Sequence, residues 1–238
     1  FWACLRCSCC PECIVSGKSF LFSPICRKSV TCGNLLYHNP DFINYCYFRL
    51  FIAKGIIMSL NYKFRDQERP YFISFATVHW IDVFVRSQYK DILVESLNHC
   101  IQNKGLVIYG WVIMTSHVHL IIGTKQEKMQ DIVRDFKKYT SKAIVQAIRE
   151  NPRESRREWM LWMFERAGKK NGNNTNFQFW QQNNKPIELS DTKMIDQKLN
   201  YLHNNPVEEG FVIESHHYKY SSAIDYADGK GLIEVLLV

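Results

Sequence analysis

Two histidines flanking one valine, in SHVHLIIG (Ser116 to Gly123), have the plainest chemistry in this chain. In an extended strand alternate side chains share a face, so His117 and His119 point the same way, with α-carbons about 6.6 Å apart. Neutral imidazoles at that spacing can converge on one divalent ion. Val118, Leu120 and Ile122, on the opposite face, are free to pack on helices. The same pattern also suits a zinc hydrolase, or two hydrogen-bonded histidines at a sheet surface. Tyr139, in DFKKYTSKAI, is the next candidate. A tyrosine hydroxyl attacks a phosphodiester well when a metal polarises the phosphate. Lys137, Lys138 and Lys142 stand close enough in sequence to hold DNA phosphates. Tyr139 also falls on the apolar stripe of Ile132, Phe136 and Ala143, which suits a core tyrosine with its hydroxyl at the rim.

The elements that must position these groups are legible from periodicity. YFISFATVHW (Tyr71 to Trp80) reads as a strand, rich in aromatic and β-branched residues. Ile92, Leu93, Leu97 and Ile101 mark a helix over Gln88 to Asn103, ended by Gly105. Leu106 to Met114 is a second strand, weakened or bulged at Gly110, and HVHLII is a third. Met129 to Arg149 is a helix stopped by Asn151-Pro152. AGKKNGNNTN is a loop. DTKMIDQKLNYLHNNP is a further helix, with Ser190 or Asp191 as N-cap and its end at Pro206. His203, Asn204 and Asn205 read there as a capping and turn device. The tail HHYKYSSAIDYADGKG reads as an irregular aromatic wrap, and its His216 and His217 have no assignment. Helices between strands of an antiparallel sheet make a single α+β domain.

Composition divides the chain. Residues 1–57 hold eight of the nine cysteines and no methionine. Cys4/Cys7 and Cys10/Cys13 have a zinc-knuckle gap, but no second well-spaced pair follows. The segment lacks the pattern of a signal peptide, and its apolar run RLFIAKGIIM is broken by Lys54 and too short to span a bilayer. We expect it to be upstream sequence translated in frame, or a disordered Cys-rich segment, with the working protein starting at Met58. The expected domain is 58–238, with a catalytic core over about 70–190 and an extension over about 191–238. The first 57 residues carry six Lys/Arg against two Asp/Glu, so they supply +4 of the formal +7. The remaining positive charge is concentrated between Arg134 and Arg157. Arg149, Arg153, Arg156 and Arg157 could track a phosphate backbone or form a solvated basic helix end. Trp159, Trp162, Phe177, Phe179 and Trp180 could stack on unpaired bases or fill a core. The chain reads as cytoplasmic, with no membrane partner.

SHVHLII, a helix carrying FKKYTSKAI, and then YLHNNPVEEGFV and YKYSSAIDY resemble the single-tyrosine HUH transposases of the insertion sequence 200-like class, REP-associated branch. The likeness runs from about Met58 to the C-terminus, and the HNNPV stretch is more specific than the histidine pair. It implies a ferredoxin-like, RRM-like antiparallel sheet with helices on one side. It implies His117 and His119 as ligands of Mg²⁺ or Mn²⁺, and Tyr139 as the nucleophile. The implied reaction cleaves single-stranded DNA at hairpin ends through a 5′-phosphotyrosine link and rejoins it, in a monomer or homodimer. Well-known members place a third polar ligand one turn after the tyrosine. Here that position is Ala143, which cannot coordinate; Asp135 and Gln146 lie on roughly the same face. The departure keeps a second reading open: a decayed or domesticated protein that grips DNA hairpins without cutting them. A zinc hydrolase with a structural Tyr139 is a third.

Overall fold

Strand β1 (Tyr71–Ala76) alternates large side chains toward both faces, and nearly all are buried. A strand of that kind needs cover on two sides, and the fold supplies it. The structure is a computed structural model that describes residues 64–171, 176–182 and 185–238. The Cys-rich segment and the expected start at Met58 lie outside the described residues.

The elements follow as β1, α1 (Ser87–Lys104), β2 (Leu106–Ile113), β3 (His117–Thr124), α2 (Met129–Glu150), α3 (Arg157–Lys169), β4 (Ile187–Glu188) and α4 (Thr192–Glu208). The four strands form one antiparallel sheet in the order β2-β3-β1-β4. The histidine pair is thus on β3, one of the two inner strands, held in register by Ser74 opposite His119 and Ala76 opposite His117. The expected α+β class and antiparallel sheet are what the structure has.

One face of the sheet carries Ile73, Phe75, Val118 and Leu120, since alternate residues share a side. Phe75 meets Phe136 of α2 edge-on at 5.8 Å, and α1 packs on α2. This is the main apolar layer, with Trp111, Leu93, Leu97 and Ile144 fully buried. The other face carries Phe72, Ser74, His117, His119 and Ile121. Helix α4 covers it, contacting β2 and β3. Helices therefore lie on both faces, where the resemblance implied one. Gly110 allows this approach. It sits at a bulge in β2, and a Cβ there would come within 2.7 Å of Leu199 Cδ2 of α4.

Helix α4 starts where expected. Asp191 caps it by accepting from the Met194 N–H at 2.8 Å. It does not stop at Pro206, which is buried inside its last turns. Proline lacks only its own N–H, and the following backbone still closes the turn through Glu209 N–H to Asn205 C=O. Helix α3 occupies a stretch the periodicity left undescribed, burying Met160, Phe164 and Ala167. Phe179 and Trp180 are core residues. The tail is tied to β2 by a bridge between Val112 and Ser221 and by the Tyr218 hydroxyl donating to Ile113 C=O at 2.9 Å.

The chain leaves β1 through an unusual turn. The expected strand to Trp80 ends at Ala76, and a short 3-10 turn covers Val78–Trp80. His79 and Trp80 both have φ of 56°. For non-glycine residues that region costs roughly 1–2 kcal/mol each. Buried Thr77 clamps the turn, its hydroxyl donating to Ile81 C=O at 2.7 Å.

Candidate active site

His117 and His119 share the α4 face, as their spacing requires, with ring centroids 4.9 Å apart. His119 is buried; it stacks on Phe72 at 5.5 Å and meets the ring of Tyr201 edge-on at 5.2 Å. His117 touches Trp80 at 5.5 Å and is hydrogen-bonded by the Asn205 side chain. Tyr201 and Asn205 are one turn apart on α4, so they stand on the same side of the helix. Lys198, one turn before Tyr201, lies over the rings of Phe72 (5.1 Å) and Tyr201 (5.7 Å). The helix thus presents Lys198, Tyr201 and Asn205 as a polar stripe to the histidine strand.

Burial sets the charge of the imidazoles. It pushes His117 down to about 4, against smaller upward pulls from the Asn205 hydrogen bond and the Asp82 charge. Burial, then the neighbouring His117 and Lys198, holds His119 well below its ordinary value. Both rings are therefore neutral near pH 7, the form that ligates metal. The Nδ1 of His119 is buried with no hydrogen-bond partner. Two neutral nitrogen donors, one of them orphaned, and an adjacent amide oxygen fit a divalent cation held by His117, His119 and Asn205.

The structure does not bring Tyr139 to the histidines. Its helix packs on Phe75, whose side chain points away from His119, so the sheet lies between them. Tyr139 is 60% exposed, on a cleft of about 280 Å³ it shares with Glu95, His99, Cys100 and Lys104 of α1. It sits neither in the core nor at the histidine site. Asp135 is engaged by Lys104 and Arg134, and Gln146 by Glu150. Lys137 is on the same far layer, with its Nζ on Gln181 C=O at 3.2 Å and over the Phe75 ring. Burial lowers it to about 8. Lys138, Lys142 and Arg149 are exposed on α2. Arg153 and Arg156 line an open cavity of about 570 Å³ with Arg86 and Asn151. Buried Glu154 pairs with Arg86 and Arg156 there, and the Arg156 guanidinium reaches Asp82 C=O at 3.0 Å. Arg157 starts α3 beside them.

Tyr201 and Asn205 are the residues that the sequence reading left to a motif and a helix cap. The signal was present in YLHNNPV, because Tyr201 and Asn205 are four apart on a helix. His203, between them, turns instead to Ser222, with Nε2 and Oγ 2.8 Å apart. His216 and His217 join Glu214 in a second group whose ligand atoms lie within 4.8 Å of one another, mostly at the surface. Among the described residues no helix is long and apolar enough to cross a membrane.

Comparison with known proteins supports the sheet and the histidine strand. Residues 75–165 match the family model described as Transposase IS200 like, a segment that holds β3 and α2 and ends before α4. The fold is similar to that of a REP-associated tyrosine transposase bound to a REP hairpin. The TM-score is 0.52 at 16% identity, over 75% of this chain and 92% of that one. A crystal structure of a candidate transposase from Deinococcus radiodurans R1 aligns at 21% identity over 63% of this chain and 95% of that one, with a TM-score of 0.35. No curated protein matches. In its histidine-bearing segment and in its fold, the chain resembles the IS200-like transposases.

Proposed function

We propose that the chain is a metal-dependent tyrosine transposase that cuts and rejoins single-stranded DNA at hairpin ends, with Tyr201 rather than Tyr139 as nucleophile. The observation that supports this reading is the convergence of α4 on the histidine strand: Tyr201 against His119, and Asn205 against His117. Measured from Tyr201, the position one turn on is Asn205, which can coordinate. The departure noted at Ala143 then disappears. A REP hairpin is the ligand in the similar REP-associated structure, and it is the substrate class we assign to this chain.

His117, His119 and Asn205 would hold Mg²⁺ or Mn²⁺. When bound there, the cation would supply Lewis-acid polarisation of the scissile phosphate. Tyr201 Oη attacks phosphorus and gives up its proton, the bond to the 3′-oxygen breaks, and that oxygen leaves as a 3′-hydroxyl. The 5′-phosphate remains on Tyr201. A 3′-hydroxyl from a second strand reverses the step, restores the phenol and joins the DNA without a nucleotide cofactor. Lys198, over the Tyr201 ring, places a cation beside the incoming phosphate. Sheet, Phe72 and α4 keep the imidazoles neutral and oriented.

The test uses labelled single-stranded hairpins from the DNA flanking the gene, incubated with Mn²⁺ and run on a denaturing protein gel. A labelled adduct that is lost in Tyr201→Phe and retained in Tyr139→Phe is the expected result. Binding of the hairpin with no adduct in the wild type would favour the decayed, DNA-gripping reading. An adduct lost only in Tyr139→Phe would refute the assignment.

A further inference from the structure

Trp80 is an exposed indole, 44% accessible, at the edge of the histidine site. Its ring meets His117 edge-on at 5.5 Å. It is held there by backbone that a tryptophan rarely adopts. His79 and Trp80 are consecutive residues with φ of 56°, and among the described residues only Asp228 joins them in that region without being glycine. The neighbours over-determine the turn. Val78 N–H donates to Phe179 C=O at 2.7 Å, and Gln181 Nε2 to Thr77 C=O at 3.0 Å. Val78 and Ile81, on either side, are buried. The anchors go inward and the indole goes outward. Strain of this kind persists when the surroundings hold it, and it concentrates at functional sites.

Four rings follow one another across the site: Trp80, His117, His119 and Tyr201, each 4.9–5.5 Å from the next. The proposed nucleophile is at one end and the exposed indole at the other. We propose that Trp80 is the stacking platform for one unpaired nucleobase beside the phosphate held at His117 and His119. The inference rests on the reading of that pair as the phosphate site. Every base has a π-face, so such a platform is tolerant of sequence. A base inside a duplex has both faces covered by its neighbours, so the platform selects single strands over double ones at the cleavage position.

The test measures binding rather than cleavage. Tyr201→Phe protein, which cannot form the adduct, is titrated in the presence of Mn²⁺ into short labelled single-stranded oligonucleotides carrying one abasic position, scanned along the strand. In the Trp80 protein one abasic position should weaken binding about tenfold, the range of one lost stack. In Trp80→Ala the intact oligonucleotide should bind about tenfold more weakly, and that abasic position should cost nothing more. Trp80→Phe should fall between them, with circular dichroism unchanged. If Trp80→Ala keeps the full abasic penalty, the proposal is overturned, and Trp80 is only a cover on His117. An adduct in the wild type together with that result would sink the stacking role alone. A Trp80-dependent abasic penalty with no adduct on any hairpin would uphold stacking and sink the tyrosine chemistry.

Discussion

The two faces of the sheet each bear a helix with an exposed tyrosine and nearby lysines, but only the α4 face sets its tyrosine against the histidine pair. On the α2 face, Tyr139 looks across a cleft at α1, and the sheet presents Ile73, Phe75 and Val118 on that side. On the α4 face, Tyr201 stands over the neutral His119 with Asn205 and Lys198 in line. The chemistry of a tyrosine is set by what the opposing strand presents. Its own helix, and its closeness in sequence to the histidines, do not decide it. The sharpest way to break this comparison is the pair of conservative substitutions. Tyr201→Phe should abolish the covalent DNA adduct, because no oxygen remains to form it. Tyr139→Phe should leave adduct formation unchanged. Equal loss in both variants would undo the distinction between the faces.

The next effect falls on metal affinity. His117→Ala and His119→Ala should remove Mn²⁺ binding measured by calorimetry. Asn205→Ala, which removes the neutral amide ligand and leaves both imidazoles, should weaken it without abolishing it. Ala143, on the far face, should tolerate Ser or Gln with no change in Mn²⁺ affinity. A gain in affinity from Ala143→Gln would restore the Tyr139 helix as the ligand-bearing one.

The strands and the helices α1 and α2 were legible because their apolar alternation and periodicity report directly on burial. The histidine pair was legible for the same reason, since period two fixes a shared face. In sequence Tyr139 lies on the helix that follows the histidine strand, but periodicity says nothing of which side of a sheet a helix covers. That choice depends on the bulge and missing side chain at Gly110, which admit Leu199 and Leu202. Pro206 concealed the rest. Reading it as a helix end turned Asn205 into a cap, whereas the helix continues and Asn205 points at His117. Helix α3 was hidden by exposed Trp159 and Trp162, which blur its apolar stripe.

The faces should also differ in how they respond to acid. Burial lowers His117 and His203 to about 4 and holds His119 well below its ordinary value. An unfolded chain takes up protons on these rings near 6.5, so it binds more protons than the folded protein between 6.5 and 4. Their neutral burial is fully accommodated above pH 6.5, and stability is lost as the pH falls from there toward 4. On the α2 face Asp135 is held below its usual value by Lys104 and then Arg134. Its contribution is present above 3.8 and lost below. In metal-free protein, hydrogen exchange corrected for intrinsic rate should therefore show α4 opening between pH 6 and 4 while α2 stays protected. Simultaneous opening of both helices would mean the faces are not separable in stability.

The smallest expected effect tests why α4 can reach the histidines at all. Gly110→Ala places a methyl 2.7 Å from Leu199 Cδ2 and 3.3 Å from Leu202 Cδ2. Leu202 is fully buried and Leu199 nearly so, which limits how far either can yield. Overpacking of this kind costs about 1–3 kcal/mol, read as a lower midpoint in denaturant. The displacement acts on the helix that carries Tyr201 and leaves the β1–β3 pairing of the histidines in place. Adduct formation should therefore slow more than Mn²⁺ binding weakens. A variant that loses both equally would show that α4 and the histidine strand are held as one rigid unit, with Gly110 acting on the whole sheet.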